Sequence, residues 1–230
     1  MDTVNIVKEL CAHAAVSGYE EGLSRYVKKL FDGYCDSAEV DKFYNVIGIK
    51  KGEGKNKKKI MITAHIDEIG FLVSSIDKNG FIGFSNLGGM DSKILLAQEV
   101  TIHGQKEIPG IIGAKPPHLL KPEEKGKAVK IEELSIDTGL DVEDVKKYIS
   151  IGDIITFRVK PVNLMGDKIS GKSMDDRCGV AALIEIMEQL SVMKHKDDIY
   201  FVANVQEEVG LRGAIMTSYN IEPDAAVVID

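Results

Sequence analysis

Three predominantly apolar runs constrain the fold of this chain more than any other feature. They lie at 59–64, 199–205 and 225–229 and are rich in Ile, Val and Ala. An apolar run without polar alternation is typical of a strand that is buried on both faces of a sheet. Helical patterns separate these runs, so the sequence predicts an α/β fold. We expect a mixed, largely parallel sheet with helices on both faces.

The helical segments are predicted from apolar residues that recur at helical spacing. Such spacing covers residues 6–14, 23–31, 180–190 and 211–219. Ser17 and Gly18 form a break between the first two segments, and Ser17 is predicted to cap the second helix. Strands that alternate with helices in this way favour a sheet that is covered on both sides.

A second texture fills the middle of the chain. Short β-like runs follow one another between 69 and 159, and turn signals such as Lys78-Asn79-Gly80 separate them. Asp141 is predicted to cap one short helix over 142–149. This texture predicts a small, PDZ-like β-barrel inserted into the α/β domain. The predicted boundaries are 1–67 and 162–230 for the α/β domain and 68–161 for the insertion.

Composition excludes several classes of function. The 230 residues carry a net charge of −7, which argues against binding to nucleic acid or to a membrane surface. The lysine-rich stretch 50–59 lies between two strands and is interpreted as a solvated hairpin loop. Three widely spaced cysteines fit free thiols, and neither a signal peptide nor a membrane span is predicted. We therefore expect a cytoplasmic protein.

Four polar motifs stand at the ends of the apolar runs or at the start of a helix. They are His65-Ile66-Asp67, Asp175-Asp176-Arg177, Glu207-Glu208 and Asp230. Each motif alone is weak, because acidic residues are common at helix starts and on surfaces. Together they meet at the carboxyl edge of a parallel sheet, where carboxylates would repel one another unless a cation binds them. Imidazole and carboxylates suit two divalent ions of zinc, cobalt or manganese.

The same motifs, in this order and around an inserted β-domain, resemble the M42 family of metallo-aminopeptidases. That family includes glutamyl aminopeptidases and the tetrahedral TET enzymes. The resemblance runs over the whole chain and includes segment 113–118, Gly-Ala-Lys-Pro-Pro-His. It implies a zinc-exopeptidase-like catalytic domain, an inserted domain that dimerises, and removal of N-terminal residues from short peptides. Family members build dodecamers from dimers, so a homo-oligomer is expected.

The resemblance also implies a role for each polar residue. His65 and Asp230 would bind the first ion, Glu208 the second, and Asp175 both. Glu207 would be the general base, which takes a proton from a water and returns it to the leaving amine. Asp67 would hold the His65 ring through its other nitrogen. The two ions would be zinc or cobalt, and the Asp175–Asp176 peptide would be cis.

One family ligand has no counterpart in this sequence. In the family, a later segment supplies a final histidine to the second ion, whereas this sequence ends at Asp230. The remaining histidines are interpreted as structural or surface residues, with His195 exposed; they are His13, His103, His118 and His195. We therefore expect a C-terminally shortened form with weak binding of the second ion and little or no peptidase activity.

Two other functions remain open from the sequence. One is an N-acyl amino acid deacylase or dipeptidase on the same scaffold, although an insertion between the His65 and Asp175 motifs favours the M42 family. The other is an inactive fragment that keeps only an assembly role. A cellulase is disfavoured, because the adjacent Glu207 and Glu208 are badly placed to flank a glycosidic bond at about 5–10 Å.

Overall fold

The computed structural model describes residues 2–116 and 129–230. Its helices are α1 (Thr3–Ala12), α2 (Glu21–Asp32), α3 (Val142–Tyr148), α4 (Met174–Leu190) and α5 (Arg212–Ile221). Its strands are β1 (Ser37–Val40), β2 (Val46–Lys50), β3 (Lys59–His65), β4 (Gly70–Ile76), β5 (Ile82–Leu87), β6 (Glu99–His103), β7 (Glu107–Ala114), β8 (Leu134–Asp137), β9 (Ile154–Phe157), β10 (Val162–Leu164), β11 (Lys168–Ser170), β12 (Asp198–Asn204) and β13 (Ala225–Val228). Two 3-10 helices cover Ser92–Ile94 and Ile131–Glu133.

The chain divides into two compact units, which are described separately. One unit is formed by Met1–Glu68 together with Lys160–Asp230, and the other by Ile69–Val159. Segment 113–118, which is part of the family resemblance, extends beyond the described residues. Pro117 and His118 lie outside them. Among the residues that the structure describes, no helix has both the length and the apolar character needed to cross a membrane.

The first unit is built on a five-stranded mixed sheet in the order β1-β2-β12-β3-β13. Strand β3 lies between β12 and β13 and pairs with both in parallel, whereas β2 pairs antiparallel with both β1 and β12. The mixed sheet confirms the predicted class, although parallel pairing is confined to β12, β3 and β13. All three predicted apolar runs form these parallel strands.

The lysine-rich stretch is not a hairpin loop, which corrects the sequence interpretation. Strand β12 lies between β2 and β3, so the connection from one to the other crosses over it. The connection packs on the segment before β12, where the Glu53 N–H donates to the His195 carbonyl at 2.9 Å. Gly52 allows this approach, because a Cβ there would lie 2.3 Å from the Lys196 carbonyl oxygen. Sequence periodicity could not reveal a strand inserted from 140 residues later in the chain.

Helices cover both faces of the sheet, as predicted. Side chains alternate along a strand, and on β12 Phe201 and Ala203 join the apolar cluster that contains residues of α1, α2 and α4. The intervening Val202 joins a smaller cluster on the other face, together with Ile221 at the end of α5. The larger cluster holds the main core of this unit, with Leu10, Phe31, Leu183 and Ile184 among its fully buried members.

Side-chain caps begin α1 and α3, whereas α2, α4 and α5 start without one. Asp141 caps α3 as predicted, since its Oδ1 accepts a hydrogen bond from the Asp144 N–H at 2.9 Å. Ser17 does not cap α2, because Glu20 holds the N-cap position. The Ser17 hydroxyl instead donates to the Asp67 carboxylate at 2.6 Å. The bond that Ser17 donates to the buried carboxylate is charge-assisted, and therefore stronger than the neutral bond that it would accept from an N–H group at the start of a helix.

The second unit is a closed six-stranded barrel in the order β4-β5-β8-β7-β6-β9. Its interior is filled by apolar side chains such as Phe71, Ile102, Ile112 and Ile136. The β-barrel of the prediction is therefore confirmed, while its PDZ-like character stays a prediction. Strand β8 was not predicted, and neither was the β10–β11 hairpin, because runs of three or four residues carry too little alternation to be recognised.

We predict that truncating the core face of α4 destabilises the first unit. Leu183 is fully buried in the main cluster, so Leu183→Ala should lower the free energy of unfolding by about 2–5 kcal/mol. Leu164→Ala is the matched control, because Leu164 lies 52% exposed on β10, and it should change stability by no more than about 0.5 kcal/mol. Urea unfolding of both variants measures this, and equal losses would contradict the assigned core.

Candidate metal centre

The predicted site residues lie at the carboxyl ends of the three parallel strands. His65 is the last residue of β3, and Asn204 at the end of β12 pairs opposite it. On the other side Val228 pairs with Thr63, so Asp230 reaches the level of His65 two residues further on. The in-register parallel ladder thus brings residues from distant parts of the sequence to one edge, as expected from the apolar runs.

Three of the predicted metal ligands form one cluster. One ligand atom each from His65, Asp175 and Asp230 lies within 4.8 Å of the others. The shortest contact joins His65 Nε2 to Asp175 Oδ1 at 3.0 Å. The imidazole is 4% exposed and the Asp175 carboxylate 77% exposed, so the cluster is fixed on its buried side and open on the other.

The two glutamates form a second cluster with the same imidazole. Atoms of His65, Glu207 and Glu208 also lie within 4.8 Å of one another, and Glu207 Oε2 is 3.9 Å from His65 Nε2. Asp175 is not a member of this second group. The structure therefore brings Glu208 together with Glu207 and His65, whereas the pairing of Glu208 with Asp175 stays a prediction.

The site contains more carboxylates than positively charged groups, and this imbalance shifts the pKa values of its residues. Burial lowers the pKa of His65, but the neighbouring Asp67 and Asp175 carboxylates outweigh it and raise that pKa to about 9. Burial also raises the pKa values of Glu207 and Glu208 above 4.5, the positive His65 opposes the rise, and nearby carboxylates add to it. Crowded carboxylates around a single imidazole are stabilised by a cation.

The donor set of the described side chains suits a divalent ion. It consists of one imidazole and four carboxylates, without a thiolate. Imidazole with carboxylate oxygens is a ligand combination that zinc, cobalt and manganese accept, whereas structural zinc sites usually contain cysteine. The cluster is also open on one side, which is the arrangement of a catalytic rather than a structural metal centre.

Asp67 is fully buried and connects the imidazole to the loop 205–211, which follows β12 and carries Glu207 and Glu208. This loop is called the glutamate loop below. His65 Nδ1 lies 3.2 Å from the Asp67 carbonyl oxygen and 3.4 Å from its carboxylate Oδ1. The same carboxylate accepts the backbone N–H groups of Glu207 and Glu208 at 3.0 and 3.2 Å. Burial raises the pKa of Asp67, but His65, the Ser17 hydroxyl and the Glu207 N–H outweigh it and hold the pKa below 3.8. The predicted contact between Asp67 and the imidazole is present, whereas the hydrogen bonds that Asp67 accepts from the loop were not predicted.

Asp175 and Asp176, at the start of α4, make different contacts. The peptide between them is cis, as the family resemblance implies. Asp176 is buried, and its carboxylate accepts the N–H groups of His65 at 3.3 Å and Gly179 at 2.9 Å. A Cβ on Gly179 would lie 2.3 Å from Asp176 Oδ1, so only glycine leaves room there. Asp176 thus connects α4 to the end of β3, whereas Asp175 contacts His65 in the cluster.

A buried ionic group next to the site escaped the sequence analysis. Glu68 accepts from Lys172 at 2.7 Å and from Arg177 at 3.2 Å, and it also accepts from the Ser173 hydroxyl. Arg177, which is fully buried, also donates to the carbonyls of Leu10 and His13 at 2.8 and 2.6 Å. These contacts join the end of α1 to the start of α4. The one sequence signal was that two basic residues, Lys172 and Arg177, lie close to Asp175.

A second unforeseen residue is Glu20, at the start of α2. It is 1% exposed, and its Oε1 accepts the Gln206 N–H at 3.0 Å. Burial raises the pKa of Glu20 to about 7, although backbone N–H groups such as that of Gly18 oppose the rise. Nothing in the local sequence indicates this contact, because the two residues lie 186 positions apart.

The remaining described histidines lie outside both clusters. His13 follows α1, His103 on β6 contacts Thr156 at 2.9 Å, and His195 contacts the Asp197 carbonyl at 2.8 Å. His195 is half-buried rather than exposed, which corrects the prediction. None of these three is a member of the two clusters around His65. His118 belongs to the segment outside the described residues.

Comparison with known proteins agrees with this geometry. Residues 45–230 match the sequence profile of the M42 glutamyl aminopeptidases. A putative aminopeptidase of Acetivibrio thermocellus is 35% identical over 230 residues, which cover 100% of this chain and 66% of the relative. The chain thus spans just under two thirds of the length of that relative.

Solved structures give the same picture. A TET aminopeptidase from the marine sediment archaeon Thaumarchaeota archaeon SCGC AB-539-E09 superimposes with a TM-score of 0.93 at 35% identity, covering 99% of this chain and 66% of that one. The TET1 peptidase of Pyrococcus horikoshii, which can assemble into a tetrahedron or a large octahedral shell, superimposes with a TM-score of 0.88 at 32% identity. It covers 100% of this chain and 68% of that one.

We predict that the buried ionic group next to the site carries much of the stability of the first unit. Arg177→Ala should cost about 3–5 kcal/mol of unfolding free energy, because Glu68 loses a buried partner and the carbonyls of Leu10, His13 and Ile66 lose a donor. Arg158→Ala is the matched control: its pair with Glu99 is 3.5 Å long and 55% exposed, so about 1 kcal/mol or less is expected. Thermal unfolding of both variants is the measurement, and an Arg177→Ala protein as stable as the control would contradict the assignment.

Proposed function

The chain belongs to the M42 glutamyl aminopeptidase family, and we propose that it carries the core of a metal-dependent aminopeptidase site. One observation supports this most: His65, Asp175 and Asp230 in one cluster, and Glu207 and Glu208 beside the same imidazole. The substrates proposed are short peptides with a free N-terminal amine, from which the enzyme removes the first residue.

The proposed metal ligands are the residues of the two clusters. His65, Asp175 and Asp230 would hold the first divalent ion, zinc or cobalt, and Asp175 and Glu208 the second. The first set offers three side chains and the second two, so the first ion is expected to bind more tightly. When bound, such a pair of ions supplies Lewis acidity and lowers the pKa of a water.

Glu207 is the proposed general base. Its carboxylate lies beside the imidazole, its pKa is raised by burial, and its backbone is held by Asp67. A raised pKa makes the carboxylate a better acceptor for a proton from the attacking water. The same group then returns that proton to the departing amine. Asp67 would meanwhile keep the His65 ring oriented, since a carboxylate behind a ligating imidazole fixes its tautomer and direction.

The barrel unit is the proposed dimerisation domain of a homo-oligomer. The proposed boundaries are 68–161 for this PDZ-like domain and 1–67 with 162–230 for the catalytic domain. Two observations support assembly: the likeness to the TET1 peptidase of Pyrococcus horikoshii, and exposed apolar side chains on the barrel such as Ile111 and Phe81. Apolar side chains on a surface favour contacts between subunits.

Metal binding is predicted to depend on His65 and not on other histidines. Wild-type protein loaded with cobalt or zinc should retain at least one ion per chain after dialysis, whereas His65→Ala should lose roughly 10–100-fold or more in affinity. His195→Ala is the control, because the ring of that half-buried histidine contacts the Asp197 carbonyl and belongs to neither cluster. Elemental analysis and calorimetric titration measure both. Equal affinities for the two variants would overturn the proposed site.

Peptide hydrolysis is predicted to depend on the Glu207 carboxylate. Glu207→Gln should keep the ion in the first cluster but lower kcat by about 10²–10⁴-fold, because the amide cannot accept the proton. Glu222→Gln removes an exposed carboxylate at the end of α5 and serves as the control. Release of p-nitroaniline from aminoacyl p-nitroanilides is to be compared with release of acetate from N-acetylated amino acids. Release of acetate alone would point to a deacylase and contradict an aminopeptidase.

A further inference from the structure

The loop after β12 turns its backbone, and not only its side chains, towards buried carboxylates. Three successive N–H groups, those of Gln206, Glu207 and Glu208, donate into the protein. The first donates to Glu20 Oε1 at 3.0 Å, and the other two donate to the Asp67 carboxylate at 3.0 and 3.2 Å. Asp67 already has a place in the proposed site, whereas Glu20 has none.

The residue that Glu20 holds has an unusual conformation. Gln206 has a φ of 53°, in the left-handed region that residues other than glycine seldom adopt. Such a conformation persists where surrounding contacts fix it. Glu20 holds the N–H of Gln206, and the carbonyl of Gln206 accepts from the Arg212 N–H at 3.2 Å. Because this residue sets the direction of the chain, it also sets where Glu207 and Glu208 point.

Glu20 is placed for this contact and not for capping its own helix. It occupies the N-cap position of α2, yet its side chain makes no capping hydrogen bond. Its carbonyl accepts the Ser24 N–H at 2.8 Å, which anchors it to the first turn of α2. Two residues before it, Gly18 has a φ of 89°, and before that Ser17 donates to Asp67. The connector 17–20 therefore supports the loop twice, through Ser17 on Asp67 and through Glu20 on Gln206.

We infer that Glu20 is a positioning residue of the site: by accepting the Gln206 N–H it holds the loop so that Glu207 and Glu208 face His65. The inference rests on the proposed function only in the roles given to those two glutamates. The Glu20 carboxylate is 1% exposed and is satisfied by backbone N–H groups, those of Gly18, of Glu20 itself and of Gln206. Of these three, the Gln206 N–H is the one that belongs to the loop after β12. The geometry requires an acceptor atom at this position, and it does not require a negative charge there.

The test compares three variants of the full chain. Glu20→Ala removes the acceptor, Glu20→Gln keeps an oxygen that accepts, and Glu21→Ala removes the neighbouring exposed carboxylate as the matched control. Hydrogen exchange of the segment 205–211 is measured without metal, and kcat and KM are measured with it. We expect Glu20→Ala to exchange roughly tenfold faster at the 206–208 amides and to lower kcat roughly 10–100-fold with KM nearly unchanged. Glu20→Gln and Glu21→Ala should stay within about threefold of wild type in both measurements.

A second substitution tests the mechanism of the effect. Glycine adopts the left-handed conformation without strain. Gln206→Gly in the Glu20→Ala background should therefore recover most of the kcat that Glu20→Ala loses. A residue that only stabilises the fold would show no such recovery. If Glu20→Ala does not fold, the 206–208 amides of folded Glu20→Gln decide: exchange within about threefold of wild type supports an acceptor role, and exchange roughly tenfold faster overturns it.

The outcomes separate this inference from the proposed function. Suppose that Glu20→Ala is the one variant with faster exchange and that the wild-type chain has no peptidase activity. This result supports the positioning role of Glu20 and counts against the proposed function. Unchanged exchange and kcat in a folded Glu20→Ala protein overturn the positioning role and leave the proposed function untouched. A loss in Glu20→Gln as large as in Glu20→Ala also overturns it, because charge and not an acceptor atom would then be required.

Discussion

The candidate site depends on one buried carboxylate, that of Asp67. It lies behind the His65 ring and accepts two backbone N–H groups of the glutamate loop and the Ser17 hydroxyl. These four contacts come from three separate parts of the chain, so no single element could hold the arrangement alone. Removing water from such a carboxylate is costly unless every lone pair finds a donor. Full satisfaction of Asp67 is therefore what lets the edge of the sheet become a site.

Around that carboxylate, the fold supplies rigidity on the buried side and leaves the other side open. The parallel ladder of β12, β3 and β13 fixes the level of His65. The ionic group of Glu68 and Arg177 ties α1 to the start of α4, from which Asp175 projects. Preorganised ligands of this kind lower the cost of gathering like charges, because the ordering has been accomplished by folding. On the open side, where the Asp175 carboxylate is 77% exposed, solvent reaches the cluster.

The sequence was informative where chemistry follows from short patterns. Apolar runs predicted the three parallel strands, and the polar residues after them predicted the cluster around His65. It failed where contacts join distant segments: nothing near Glu20 indicates Gln206, and nothing in the lysine stretch indicates that β12 separates β2 from β3. Ser17 is instructive, because a residue type that favours helix caps serves Asp67 instead. Long-range hydrogen bonds override local propensity when they satisfy a buried charge.

The central claim is that the cluster around His65 is a metal centre, and the location of a bound ion tests it most directly. Crystals of the cobalt-loaded chain should be measured at the cobalt absorption edge. The account predicts a strong anomalous peak in contact with His65, Asp175 and Asp230, and a weaker one beside Glu208. The absence of any peak within bonding distance of His65, or a strong peak at another place in the chain, would contradict the account.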